Sequence, residues 1–199
     1  MNHPLCIATD SPPVPAGWYT VCASDALPAG GMQPFRLAGL TLLAWRNKNG
    51  TPCVTDRRCP HLGGDLAAGH VSDAGLVCPI HRFAFAADGG CRATGFDSVS
   101  GKAHIQPWPL LEQDGLLLVY YHPDGHAPHW QPPAHDWQGW TAQRIDSCEL
   151  PATVQLITEG IADKGHLATV HGYSDVSLTA AFCCDGPTLA TAYRFVNSG

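Results

Sequence analysis

Four residues in two short runs could hold a metal centre. Cys59 and His61 stand in Cys59-Pro60-His61-Leu62-Gly63-Gly64, and Cys78 and His81 in Cys78-Pro79-Ile80-His81. One residue separates the first pair, two separate the second, and sixteen lie between His61 and Cys78. Two thiolates and two imidazoles suit either a tetrahedral zinc or an iron–sulfur centre. Zinc knuckles usually set a Cys pair about two to four residues apart ahead of a His pair, whereas each run here mixes one Cys with one His. That mixture serves a [2Fe-2S] cluster in which one iron takes both cysteines and the other both histidines. Gly63 and Gly64 let the backbone pass close to inorganic sulfide, and Pro60 and Pro79 stiffen the turns that present the ligands.

A second constellation follows in Glu159-Gly160-Ile161-Ala162-Asp163-Lys164-Gly165-His166, with His171 beyond it. Asp163 and His166 are three apart and share a helical face. His166 and His171 are five apart, about 140° around an ideal helix, so they converge on one ion only if the helix is distorted or ends between them. Gly165 and Gly172 permit that. Two His and a carboxylate with open positions opposite form the non-haem Fe(II) oxygenase arrangement. Taken alone, the pair also reads as two polar positions on a helix.

The elements that must position these residues are short. Trp18 to Val21, Met32 to Leu37, Leu40 to Trp45, Cys53 to Thr55, Leu76-Val77, Phe83 to Phe85, Ala103 to Trp108 and Leu116 to Tyr121 read as strands. Ala38-Gly39, Asn47-Lys48-Asn49-Gly50 and Asp88-Gly89-Gly90 supply turns. The expected fold is mainly β, a small antiparallel barrel or sandwich over residues 15–125 with the Cys/His loops at one end. Residues 126–140, rich in Pro, His and Trp, read as a linker. His122, His126, His129 and His135 lie in or beside it at irregular spacing, as surface histidines. Residues 141–199 then read as the beginning of an α+β domain. They comprise a strand over Thr141 to Leu150, a helix over Pro151 to His171 closed by Gly172, and a hairpin of Ser177 to Cys184 with Thr188 to Val196.

The chain has 199 residues and a net charge of −6 with only 11 Lys+Arg, which argues against nucleic acid or an anionic membrane as partner. No apolar run reaches the roughly 20 residues of a membrane span, and Met1 to Pro15 lacks the features of a secretory signal. A cytoplasmic protein is expected. Of nine cysteines two are assigned to the cluster, and the other seven, Cys183-Cys184 among them, read as reduced thiols.

The two Cys/His runs resemble those of Rieske proteins. Gly64 and Ile80 stand where the high-potential respiratory members carry extra cysteines, so the likeness is to the low-potential ferredoxins and oxygenases. With the second constellation, the chain from about residue 15 onward resembles the α-subunit of Rieske non-haem iron oxygenases. Their helix signature is matched by Glu159, Asp163, His166 and His171, with Gly160 in place of the usual Asn. Pro15-Ala16-Gly17-Trp18-Tyr19, the run from Cys59 to Leu66 and Pro107-Trp108-Pro109 look most like the branch of 3-ketosteroid 9α-hydroxylase oxygenases and sterol 7-desaturases.

The resemblance implies an oxygenase component. Electrons from NAD(P)H arrive through a reductase or ferredoxin at a [2Fe-2S] cluster on Cys59, His61, Cys78 and His81. They pass by way of Asp163 of a neighbouring subunit to a mononuclear Fe(II) on His166 and His171, where O2 hydroxylates or desaturates an apolar, steroid-like substrate. It also implies a homotrimer and a third iron ligand beyond residue 199, so the chain is expected to be a C-terminally truncated portion of the whole. The alternative is a stand-alone Rieske ferredoxin-type electron carrier with a non-catalytic tail.

Overall fold

Alternating apolar residues and tight turns fold the first of two units into three small antiparallel sheets. The computed structural model describes residues 14–96, 103–141 and 144–197, and its two units are residues 1–145 and 146–199. In the first unit β2 (Met32–Leu37), β3 (Leu40–Arg46) and β4 (Pro52–Asp56) form one sheet, with β1 (Gly17–Ala23) and β9 (Leu110–Gln113) flanking β10 (Leu116–Tyr121) in a second. The third is β5 (His70–Ser72), β6 (Gly75–Val77), β7 (Ala84–Phe85) and β8 (Cys91–Ala93), in sequence order. The expected mainly β architecture is therefore what the chain adopts.

Turn chemistry sets the registers. Ala38 (φ 49°) and Gly39 (φ 79°) form a two-residue turn that aligns Leu37 with Leu40, a type whose twist matches the strands it joins. Between β3 and β4, Asn47 caps the turn: its Oδ1 accepts the Thr51 N–H at 2.8 Å, and Gly50 takes the left-handed φ of 86°. Asp114 (φ 52°) and Gly115 (φ 73°) make the same kind of turn between β9 and β10. That Asp-Gly pair marks a strand, β9, that the pattern of apolar residues alone misses.

Strand β3 is the wall between two cores. Leu43 and Trp45 face a cluster that includes Leu66, Leu76, Phe83, Phe85, Cys59 and Cys78, while Leu42 and Ala44 face Leu27, Val54, Leu117 and Val119. The alternation follows from the two-residue side-chain period of a strand covered on both faces. Each fully buried aromatic or leucine contributes roughly 1.5–3 kcal/mol, and the first of these cores is the floor on which the Cys/His loops rest.

Arg46 ends β3 as a buried hub. Its guanidinium donates to the Leu27, Gly50 and Ser24 carbonyls at 2.7, 2.6 and 3.2 Å and to both oxygens of Glu112. Arg46→Ala strands these acceptors in a site that water reaches poorly. It is expected to lower stability by about 3 kcal/mol in denaturant unfolding; a loss under about 0.5 kcal/mol would show the network is ornamental.

Two expected strands do not form among the described residues, outside which residues 142–143 of the second lie. The stretch from Ala103 to Trp108 makes only the isolated bridges Gly90↔His104 and Thr55↔Pro107, because Pro107 and Pro109 have no N–H to donate to a ladder. Residues 144–150 of the segment expected as a strand are without regular structure, and Ile145 and Leu150 are exposed; an apolar run with no partner strand and no core beneath it gains nothing by extending. Residues 126–140 are fastened along the first unit. Trp18 Nε1 donates to the Trp130 carbonyl at 2.8 Å, Gln113 Nε2 to the Pro132 and Pro133 carbonyls, and Asp114 receives His135 Nδ1 and Trp137 Nε1.

In the second unit the single helix expected over Pro151 to His171 is two: α1 (Val154–Ala162) and α2 (Lys164–Thr169). Thr153, not Pro151, opens α1 by accepting the Leu156 N–H. The break falls at Asp163, whose backbone is extended (φ −81°, ψ 109°). Its carboxylate accepts the Gly165 N–H at 2.8 Å, so it caps α2. Gly172 takes the expected left-handed φ of 67° after α2. The hairpin expected next is β11 (Ser174–Asp185) with β12 (Thr188–Val196), turned at Gly186. Tyr193 of β12 donates its hydroxyl to the Ala162 carbonyl at 2.7 Å, tying the hairpin to the end of α1.

Candidate functional site

The two Cys/His loops repeat one backbone turn. In the first, the Cys59 carbonyl accepts the Gly63 N–H at 2.9 Å and the Cys59 N–H donates to the Gly64 carbonyl at 2.8 Å. In the second, the Cys78 carbonyl accepts the Arg82 N–H at 3.1 Å and the Cys78 N–H donates to the Phe83 carbonyl at 2.8 Å. The fifth residue of each is left-handed: Gly63 at φ 70° and Arg82 at φ 56°. Histidine occupies the third place of the first turn and the fourth of the second, which is why the spacings differ by one. The places left over hold Leu62 and Ile80, 71% and 56% exposed.

Hydrogen bonds brace both loops. Arg57 holds Asp65 through two hydrogen bonds of 2.7 and 2.5 Å, and Leu66 N–H donates to the Arg57 carbonyl, closing the base of the first loop. The Arg57 guanidinium pulls the Asp65 carboxyl below the usual carboxylate range. Gly95 N–H donates to the His81 carbonyl and braces the second loop. Sequence reasoning did not find these braces; an Arg and an Asp eight apart across a loop carry no periodic signal.

The donor set is two-sided. Cys59 and Cys78 are 3% and 2% exposed and belong to the core beneath β3, whereas His61 is exposed and His81 half-buried. The imidazole centroids lie 4.8 Å apart, with His61 stacked on Phe83 at 4.5 Å and His81 on Phe96 at 5.8 Å. Burial pushes the Cys59 thiol up, and the adjacent Cys78 adds to the effect; two thiolates in such a place require a cationic centre between them. A Cβ at Gly64 would come within 3.1 Å of Cys78 Sγ and 2.8 Å of Ile80 Cδ1, so glycine here lets the two loops close on each other without displacing either side chain. Inner thiols, outer imidazoles and a glycine cradle fit a cluster with two unlike irons.

In the second unit His166 and His171 come together because α2 ends between them. Their ring centroids are 4.9 Å apart. Both line an apolar cavity of about 410 Å³ with Leu150, Leu156, Ile157, Gly160, Ile161 and Leu167. His171 stacks on Tyr173, which stacks on Phe195. Asp163 stands three residues before His166, its carboxylate on the Gly165 N–H. Among the described residues no three His, Cys, Asp or Glu side chains gather on one ion, so this pair is not completed by a third ligand there.

Comparison with known proteins follows the same division. Residues 17–100 match the Rieske [2Fe-2S] domain family, and residues 119–193 match the 3-ketosteroid 9alpha-hydroxylase C-terminal domain family. A cholesterol 7-desaturase of Bombyx mori is 32% identical over 171 residues, covering 83% of this chain and 37% of that protein. The cholesterol 7-desaturase of Xenopus laevis is 34% identical over 168 residues, with 80% and 37% covered. The oxygenase component of 3-ketosteroid-9-alpha-monooxygenase of Rhodococcus rhodochrous is 26% identical over 167 residues, with 78% and 42% covered. The chain thus spans about two fifths of the length of these relatives. Among solved structures, dicamba monooxygenase superposes with a TM-score of 0.53 at 21% identity over 59% of this chain and 38% of that one. This chain thus carries a Rieske [2Fe-2S] domain and, beyond it, a stretch of the 3-ketosteroid 9alpha-hydroxylase C-terminal domain, and it is similar to cholesterol 7-desaturases and to the oxygenase component of 3-ketosteroid-9-alpha-monooxygenase.

Proposed function

We propose that this chain is the electron-accepting portion, and the start of the catalytic portion, of a monooxygenase that hydroxylates or desaturates an apolar, steroid-like molecule. Residues 15–125 form the cluster domain, 126–140 the connecting arm and 141–199 the beginning of the catalytic domain. Cys59 and Cys78 hold the inner iron of a [2Fe-2S] cluster, and His61 and His81 the outer one. His166 and His171 hold an Fe(II), which when bound supplies O2 activation. The observation that carries this reading is the placement of that histidine pair on the wall of an apolar cavity, downstream of the two-sided Cys/His site.

Each residue has work of its own. Phe83 and Phe96 orient the two cluster imidazoles by stacking. Leu62 and Ile80, flanked by Arg58 and Arg82, offer an exposed apolar tip where a ferredoxin or an NAD(P)H-dependent reductase docks. Leu156, Ile157 and Ile161 desolvate the substrate beside the histidines. Asp163 carries a negative charge next to His166 and accepts a hydrogen bond from His81 of a neighbouring copy in a homotrimer. Among the described residues no helix is long and apolar enough to cross a membrane, and we place the protein in the cytoplasm.

The test is compositional and functional. The purified chain should be brown, with about two irons and two acid-labile sulfides for the cluster. The complete protein with its reductase should consume O2 only when a sterol is added. A colourless protein with stoichiometric zinc would end the cluster assignment. A brown protein that passes electrons onward but binds no further iron would favour the stand-alone carrier.

A further inference from the structure

Gly160 lies inside α1 and on the wall of the cavity that His166 and His171 share, yet nothing in its local geometry calls for glycine. Glycine is required where the backbone is left-handed or where a neighbour comes too close for a side chain. Gly172 meets the first condition with φ 67°, and Gly64 the second, since a Cβ there would lie 2.8 Å from Ile80 Cδ1. Gly160 meets neither. Its backbone is helical, and a Cβ built on it would find no atom within 4 Å beyond the backbone of its own helix. Glycine inside a helix is disfavoured against alanine by about four- to fivefold, so this residue weakens the element that carries it.

The face that Gly160 occupies gives the open space a use. Leu156 and Ile157 precede it by four and three residues, share its side of the helix and line the same cavity of about 410 Å³. Gly160 is the gap in that aliphatic stripe. It is half-buried, whereas residues 154–159 of α1 are exposed, so it belongs to the floor of the cavity rather than to its rim. A side chain at this position would extend from the middle of the stripe into the space beside the two histidines. No Asp, Glu, Lys or Arg lines the cavity, so nothing there offsets the lost hydration of a charged occupant.

We propose that Gly160 determines specificity by setting the width of this cavity: its missing side chain lets a rigid, uncharged multi-ring molecule lie against the backbone of α1 beside His166 and His171, and a larger residue there restricts the site to smaller molecules. The assignment rests on the reading of the cavity as the substrate site, and gives a part in selection to a residue that contributes only backbone. A flat ring face packs against a helix surface without a Cβ more closely than a side chain would allow, which covers Leu156 and Ile157 at the same time.

Equilibrium dialysis of the complete, iron-loaded protein against radiolabelled progesterone, with four fused rings, and 1-naphthol, with two, reads the width as binding rather than turnover. Gly160→Leu should weaken progesterone about 20-fold and 1-naphthol no more than about twofold. Gly160→Ala should weaken progesterone about threefold, and because alanine strengthens α1 this loss cannot come from a melted helix. Thr158→Leu adds similar bulk about 200° away around α1, at an exposed position, and should leave both affinities unchanged. Iron content is measured for every variant, and should Gly160→Leu lose its iron, Gly160→Ala decides. Progesterone bound as tightly by Gly160→Ala and Gly160→Leu as by the wild type would overturn the proposal and leave the cavity as the substrate site. An equal loss of progesterone and 1-naphthol in an iron-retaining Gly160→Leu would overturn it too, because width would then not be what the residue sets. A wild-type protein that binds neither probe would overturn the substrate-site reading and the proposal with it.

Discussion

Cys78→Ala is expected to give a colourless protein that retains less than a tenth of the wild-type iron and sulfide and unfolds at markedly lower denaturant. Cys78 is 2% exposed, packed with Cys59, Phe83 and Phe85 in the core under β3. In the proposed assignment its thiol is one of two inward-facing ligands, and a site built from two unlike pairs has no spare donor on the inner side. Centre assembly also contributes folding free energy to the loops that hold it, so its loss loosens both turns. The truncation itself leaves a small void, costing on the order of 1–2 kcal/mol even without a cluster. The contrasting variants are Leu62→Ala and Ile80→Ala, whose side chains are 71% and 56% exposed. These should keep colour and iron content while weakening reduction by the electron donor. Full visible absorption in Cys78→Ala would remove this residue from the ligand set.

How much of this was legible in the residues depends on how local the signal is. The Cys/His loops could be read because proline, glycine and ligand spacing within six residues dictate a turn, and the structure repeats that turn twice with histidine shifted by one place. The hairpin at Asn47 to Gly50 was legible for the same reason. What escaped was non-local. Arg46 reaches Glu112, 66 positions away, and no periodicity announces that pairing. The stretch from Ala103 to Trp108 reads as a strand, yet the missing N–H groups of Pro107 and Pro109 leave it only two bridges. Residues 144–150 have apolar positions but form no strand with the described residues. In the second unit the helix signal was right in kind and wrong in continuity. Gly165 and Gly172 both permit a break, but Asp163 competes for the backbone by capping, as aspartate does at helix starts, and the first break falls there, two residues before Gly165.

That cap decides what a substitution at Asp163 reports. In the complete protein, His166→Ala and His171→Ala should each remove the mononuclear iron and all sterol-dependent O2 uptake, with the cluster absorption unchanged. In the proposed assignment each ring is one of two donors whose centroids lie 4.9 Å apart on the cavity wall, and one imidazole cannot hold Fe(II) in their place. Asp163→Asn should behave differently. Asparagine caps a helix about as well as aspartate, so Gly165 keeps its acceptor, α2 keeps its start and His166 its position. Only the charge is lost, and turnover is expected to fall about 100-fold while iron content stays within a factor of about two. Asp163→Ala removes both charge and cap. A six-residue helix has little stability of its own, so His166 should drift from His171 and iron should be lost as well. Iron content, turnover and cluster absorption measured across the three Asp163 forms separate the two roles. If Asp163→Asn turns over at the wild-type rate while Asp163→Ala loses its iron, the carboxylate serves only to start α2, and the proposed part of Asp163 in linking the two metal sites is wrong.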